Sequence, residues 1–326
     1  MKFSPEQQNL MENVLFQAKE YKRKGFVSDC DLHSHSTYSD GKFTPKQLAW
    51  MAAKIGLRTL YITDHNTHLN TYLDVKAFKD QFDDKLSLHV GVEIAVKIED
   101  KDTGRMVPIE ILAYHIKKHE QLQNFLDQYS FSAKRNQTKD LAMLQSICSK
   151  LNLVYDHALV VTKNKFATEV LCKDLIQHEE NKEYFMQHAP IVWTEPKLFY
   201  KKLVANPHSD FYMDTIGNTL PYYQDAIQAI HQAGGIAVVA HPWLYVYQTE
   251  EEVTSLLDQV CQFADGLEWK HSAHTPKQIA HLKAYADTHH IQVTGGTDFH
   301  KGPETIMGYG KREHPLSLKM RDFSWI

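Results

Sequence analysis

No run in this 326-residue sequence approaches the roughly 20 consecutive apolar residues that a membrane-spanning helix needs. The opening stretch, Met1 to Glu20, is polar and helix-patterned, so no secretory signal is expected there and the cytoplasm is the expected location. Cysteine is scarce. Cys30, Cys148, Cys172 and Cys261 lie far apart without a CxxC spacing, which argues against a disulfide framework and suits buried thiols in a reducing compartment. A dominant charge is missing too: 36 basic against 40 acidic residues leave a net charge of −4, which disfavours a dedicated long nucleic-acid surface. A local basic pocket for a phosphate remains compatible with that balance. Gly234-Gly235 has no GxGxxG around it and reads as a helix stop, not a phosphate cradle. The sequence has no internal repeats and no low-complexity tracts.

Histidine is plentiful, at 20 residues. Imidazole is a common metal ligand and proton carrier, so the places where these residues fall decide the chemistry.

Three helix starts share one pattern: Ser4-Pro5-Glu6-Gln7, Thr44-Pro45-Lys46-Gln47 and Thr275-Pro276-Lys277-Gln278. A hydroxyl cap, proline at the first helical position and Gln three residues after the cap satisfy the orphan amides of a first turn. Seven short apolar runs read as strands: Phe26–Leu32, Arg58–Thr63, Leu86–Val92, Met106–Tyr114, Ile236–Ala240, Asp265–Trp269 and Ile291–Thr294. Helical stretches at Pro45–Ile55, Tyr222–Ala233 and Pro276–Thr288 lie between several of them, and such alternation predicts βα units with a parallel sheet. From about Lys117 to Pro221 the pattern turns helical (Gln121–Tyr129, Ala133–Leu151, Glu169–Glu179) and shows no clear buried strand. The expected organisation is therefore a first barrel part at 1–117, a helical insertion at 118–221 and a second barrel part at 222–326.

Chemistry-bearing residues gather where the apolar runs end. The first run closes on Asp31-Leu32-His33-Ser34-His35, with Asp40-Gly41 in the next loop. Later runs close on Thr63-Asp64-His65, Gly91-Val92-Glu93, Ala240-His241-Pro242 and Gly296-Thr297-Asp298-Phe299-His300. Two histidines at i and i+2 on extended chain point to one side and can reach one ion. In a βα barrel the C-terminal rim is where active sites form, because the βα loops converge there. Imidazoles and carboxylates without thiolates suit Zn, Mn or Fe, and eight or more ligands imply at least two ions, with Glu93 able to bridge.

This ordered set resembles the signatures of the polymerase and histidinol phosphatase (PHP) family, over about Val27 to Tyr114 and Ile227 to Gly302. The resemblance implies an α/β fold, a distorted seven-stranded (β/α)7 TIM-like barrel with a mainly helical insertion. It also implies a metal-dependent phosphoesterase with two or three divalent ions. His33, His35, Glu93 and Asp298 would hold one ion, and Asp40, His65 and His300 another. Glu93 would bridge to a third, completed by His241 and a residue of the fourth strand. Family members usually place a histidine there, whereas this chain reads Glu110-Ile111-Leu112-Ala113-Tyr114-His115. Strand parity favours Glu110 over His115.

Asp64 is expected to orient an imidazole and so to support catalysis, and His241 to protonate the leaving group. Arg135 resembles the phosphate-contacting region of the nucleotide-hydrolysing branch, while His271 and His274 resemble a stretch lying near substrate. The expected function is hydrolysis of a small phosphomonoester or phosphodiester, nucleotide-like, by a metal-bridging hydroxide. An amidohydrolase-like reaction at a C–N bond and a non-catalytic metal-binding regulatory domain are the alternatives.

Overall fold

The computed structural model describes residues 2–82, 84–129, 137–162, 165–214, 216, 219–247 and 249–326. Helix α1 (Pro5–Arg23) leads into β1 (Cys30–Asp31), α2 (Pro45–Ile55), β2 (Thr59–Ile62), α3 (Leu69–Phe78) and β3 (Ser87–Val90). The three strands form a parallel sheet in the order β1-β2-β3. A five-stranded sheet follows in the order β4 (Val92–Glu99), β5 (Met106–Tyr114), β6 (Ile236–Val239), β7 (Gly266–His271) and β8 (Gln292–Gly296). Helices α4 (His119–Leu126), α5 (Gln137–Lys150), α6 (Ala167–Leu175), α7 (Lys182–His188) and α8 (Pro190–Thr194) fall between β5 and β6. Then α9 (Tyr223–Gln232), α10 (Glu250–Val260) and α11 (Pro276–His289) alternate with β6 to β8, and β9 (Thr305–Ile306) pairs with β10 (Gly310–Lys311).

Local sequence explains the helix ends. Ser4, Thr44 and Thr275 form reciprocal capping boxes with Gln7, Gln47 and Gln278, as their spacing predicts. A fourth box, Thr249 with Glu252, opens α10, whose glutamate-rich first turn also complements the helix dipole. Gly56 ends α2 in the left-handed conformation that glycine adopts without strain.

Two expectations need correction. The sheets are not closed into one seven-stranded barrel, and among the described residues ten strands in three sheets replace seven. At each seam the two larger sheets meet through an isolated parallel bridge, Ser34 to Phe299 and His65 to Glu93. The sheet is also not wholly parallel. Only Asp100 to Arg105 separate β4 from β5, far short of the dozen or more residues a parallel crossover needs, so the pair is an antiparallel hairpin. β5 then runs antiparallel to β6 as well. The break between β3 and β4 falls at Gly91, where an added Cβ would lie 2.4 Å from the Ala113 carbonyl oxygen.

Apolar side chains sort into several cores. One lies under β1 to β3 with α1 to α3, another under β4 to β8 with α9 to α11, and Leu32, Tyr61, Tyr114, Val238 and Phe323 fill the space between the sheets. The helices between β5 and β6 bury a core of their own around Leu144, Leu171, Phe185, Phe199 and Phe211. Among the described residues, Tyr200 is the ring packed against both this core and that of the five-stranded sheet. No described helix is long and apolar enough to cross a membrane.

Gly296, at the end of β8, leaves no room for a side chain: a Cβ would sit 2.3 Å from the Cβ of His33 and 2.6 Å from its backbone nitrogen. Gly296→Ala is therefore expected to destabilise the protein by about 2–3 kcal/mol, the scale of overpacking. Urea unfolding checks this, and a change below about 0.5 kcal/mol, the scale of an inert surface substitution, would contradict the close approach.

Candidate metal centre

The end of β1 is tied to the end of β8 by one carboxylate. Buried Asp31 accepts hydrogen bonds from the Thr297 amide at 2.9 Å, the Thr297 hydroxyl at 2.5 Å and the Gly308 amide at 2.8 Å. That junction sets the pair His33/His35 against the pair Asp298/His300. Asp298 and His241 adopt positive φ values of 55° and 22°, backbone strain of the kind that collects at functional sites.

Three groups of side chains abut. In the first, His33 Nε2 lies 3.1 Å from both His35 Nε2 and Glu93 Oε2, and His35 Nε2 lies 3.0 Å from Asp298 Oδ1. In the second, His300 Nε2 is 3.1 Å from Asp40 Oδ1, with His65 Nε2 at 3.9 Å and His35 Nδ1 at 4.0 Å from the same oxygen. In the third, Glu93 turns one oxygen to His65 Nδ1 at 3.2 Å and the other to His241 Nε2 at 2.8 Å. Glu110 approaches these imidazoles at 3.7 and 3.4 Å. His115 lies away from the cluster, against Tyr61.

The arrangement fits cations. His35 Nδ1, His241 Nδ1, His271 Nε2 and Asp298 Oδ1 are buried without a hydrogen-bond partner. Facing imidazole nitrogens and crowded carboxylates need a positive centre between them. His35, Asp40, His65 and His300 could hold one ion, His33, His35, Glu93 and Asp298 a second, and His65, Glu93 and Glu110 a third.

Electrostatics follows from the crowding. Burial alone would lower His35 and His241, yet Asp298 and Glu93 hold His35 up to about 10, and Glu93 holds His241 up to about 9. His33 is likewise held well above the ordinary imidazole value, by Glu93 and Glu268 against burial. Glu93 lies well below the usual carboxylate range, its own burial outweighed by His33 and the neighbouring imidazoles. Burial and the Glu93 charge push Glu110 up to about 7.

Two contributors escaped the sequence reading. Glu268, fully buried on β7, lies 3.1 Å from His33 Nδ1 and accepts the His241 amide at 3.0 Å, so it orients one ring and fixes the strained turn of the other. Its signal was a lone acid inside an apolar strand. Lys201 belongs to a π-helical turn at Tyr200–Val204. Burial and neighbouring Lys202 lower its ammonium to about 8, while the Glu110 charge opposes the shift.

Other expected roles change. Asp64 orients no imidazole; it accepts from the Ser36 amide and hydroxyl, the Ser39 hydroxyl and the Thr71 hydroxyl, and so shapes the loop that carries Asp40. His274 is completely buried with Nδ1 on the Trp269 carbonyl, because the chain after β7 folds back on itself, so it is not open to substrate. His271 is buried too, its Nε2 3.6 Å from Asp298 Oδ2, within the cluster and not on an open wall. Arg135 lies outside the described residues. The open side is that of Asp40, His65 and His300, where a cleft of about 540 Å³ is lined by Tyr38, Asp40, His65 and Asn66 on one side and Asp127 and Tyr129 on the other.

A model of the PHP domain matches residues 31–264, well over half of the chain. The chain belongs to the PHP domain family. Its strand-end motifs had implied this family. It is 28% identical over 280 residues to the 5'-3' exoribonuclease Rnm of Escherichia coli (strain K12), covering 83% of this chain and 85% of that protein. It is 25% identical over 275 residues to the phosphoribosyl 1,2-cyclic phosphate 1,2-diphosphodiesterase of Eggerthella lenta, covering 83% and 93%. A solved structure described as a metal-dependent phosphoesterase from Bifidobacterium adolescentis shares the fold, with a TM-score of 0.54 at 24% identity, covering 87% of this chain and 92% of that one.

Metal ligation requires neutral imidazoles. Since the carboxylates raise the affinity of His33, His35 and His241 for protons in the metal-free chain, loading the protein with Mn²⁺ or Zn²⁺ at pH 7 should release protons. Calorimetry in buffers of different ionisation enthalpy reads this as a buffer-dependent heat, and identical heats in every buffer would contradict it. The sign for stability follows: these pairs stabilise the metal-free protein below the ordinary imidazole value of about 6.5, and the contribution is lost as pH rises through about 9 to 10.

Proposed function

We propose that the protein hydrolyses a phosphoester of a nucleotide-like substrate at the cleft beside Asp40, His65 and His300. The observation that carries this is the asymmetry of the cluster. Its inner wall, His33, His35 and Glu93, is completely buried, whereas Asp40 and His65 line a cleft of small-molecule size and His300 beside them is partly exposed. A structural metal site would be closed on all sides.

In this reading the three groups would hold two or three divalent cations (Mn, Zn or Fe), the third by Glu93 and Glu110 with His65 or His241. When bound they would supply Lewis acidity toward a phosphoryl oxygen and lower the pKa of water. The chain's own residues do the rest. Asp31 and Glu268 keep the ligand pairs in register, and Asp64 holds the Asp40 loop at the mouth. Lys201, beside Glu110, offers a partly buried ammonium to a phosphate oxygen, a role that Arg135 was expected to fill. The helices of residues 118–221 act as an inserted cover that brings this lysine over the strand ends. Both named relatives act on ribose phosphoesters by their descriptions, so a phosphodiester at a ribose is the substrate we favour.

Short RNA oligonucleotides and a ribose cyclic phosphate, assayed with Mn²⁺, Zn²⁺ and Fe²⁺, test the proposal directly; no cleavage of either under any of these metals would sink it. Asp298→Ala should cut turnover roughly a thousandfold, the scale of losing a pre-organised electrostatic contact, with the circular dichroism of the folded chain retained. Lys201→Met should raise KM about tenfold or more, the worth of a charge-assisted hydrogen bond, with kcat less affected. An unchanged KM would remove Lys201 from the substrate site.

A further inference from the structure

A second cavity lies against β2, β3 and the end of β5. It measures about 400 Å³ and is walled by Lys76, Lys79 and Lys117, with His89, His115 and His119 among them, over an apolar floor of Val75, Leu88, Val90 and Ile116. Among the described residues no acidic side chain lines it, although the chain as a whole carries more acid than base. None of the three lysines pairs with a carboxylate among the described residues. Two ring stacks stiffen the wall, Tyr61 on His89 with centroids 4.7 Å apart and Tyr72 on His119 at 3.4 Å. His119 Nδ1 is also 2.8 Å from His68 Nε2, whose other nitrogen meets the Gly91 carbonyl.

We infer that this cavity is a binding site for a phosphate dianion, separate from the metal cluster. Three lysines around one concave space, with no counter-ion among the described residues, leave a positive field that an anion would neutralise. A phosphate carries two negative charges and enough acceptor oxygens for several of these donors. The imidazoles report the same field. His89, His115 and His119 are each held below the ordinary value, first by burial and then by a neighbouring cation: His115 and Lys79 act on His89, Lys117 on His115 and Lys76 on His119. The left-handed backbone of His115, at φ 54°, turns the chain at the cavity's edge.

The site is wired to the cluster through three strands. Tyr61 and His65 share the β2 strand line, His89 and Glu93 lie four residues apart across Gly91, and Glu110 and His115 lie on and just beyond β5. An anion there would thus touch the strands that lead on to His65 and Glu93 and the strand that carries Glu110. The same dianion could come from free phosphate or from a nucleoside monophosphate.

Ring signals of His89, His115 and His119 in the full-length, ¹³C-histidine-labelled protein test the site. Inorganic phosphate and 5'-AMP, titrated separately at constant ionic strength, should each move them saturably. Tenfold tighter response to one probe identifies the source. In the Lys76→Ala/Lys117→Ala variant the response should weaken at least tenfold while phosphoester turnover stays within twofold. Rings that respond no more to phosphate than to chloride, or that respond equally in parent and variant, overturn the inference. Because the readout is local, a chain that responds here yet cleaves no phosphoester would fail the catalytic reading alone.

Discussion

The contact on which the rest depends is the carboxylate of Asp31. It takes two donors from Thr297 and one from Gly308, and it sits completely buried at a seam where the two sheets share a single bridge and no continuous ladder. Without it the two i, i+2 pairs, His33/His35 and Asp298/His300, would have no fixed register. Buried polar networks of this kind are costly when half satisfied and rigid when complete. Gly296 serves the same junction by steric means, since only a residue without Cβ lets β8 lie against His33.

From that junction the cluster's energetics follow. Glu93 is shared by His33, His35, His65 and His241, with Glu268 behind His33 and Glu110 on the outer side. Protons and cations compete for the same nitrogens. Burial of the inner wall raises the stakes of that competition, and exposure of Asp40 and His300 gives it a way in.

Much of the site was legible because its residues close apolar strand runs, where a polar residue stands out. His33, His35, His65, Glu93, Asp298 and His300 all fall there, and strand parity, together with the matching position in the family resemblance, favoured Glu110 over His115. Glu268 was illegible as an orienting group because it lies inside a strand, where nothing local marks whose imidazole it meets. Lys201 was illegible because its role depends on how a helical segment packs over the strands. The helix starts followed local chemistry closely, as the capping boxes show. The sheet did not: a hairpin of six linking residues reversed β5, and the seams left the expected barrel open, since closure is decided by contacts far apart in sequence.

The helices between β5 and β6 bury a core of their own, and Tyr200 is the ring that also packs against the core of the five-stranded sheet. Lys201 is its immediate successor. The seating of that ring on both cores therefore fixes where the backbone of Lys201 lies. How strongly the Glu110 charge acts on the ammonium is thus set by an aromatic contact one residue away.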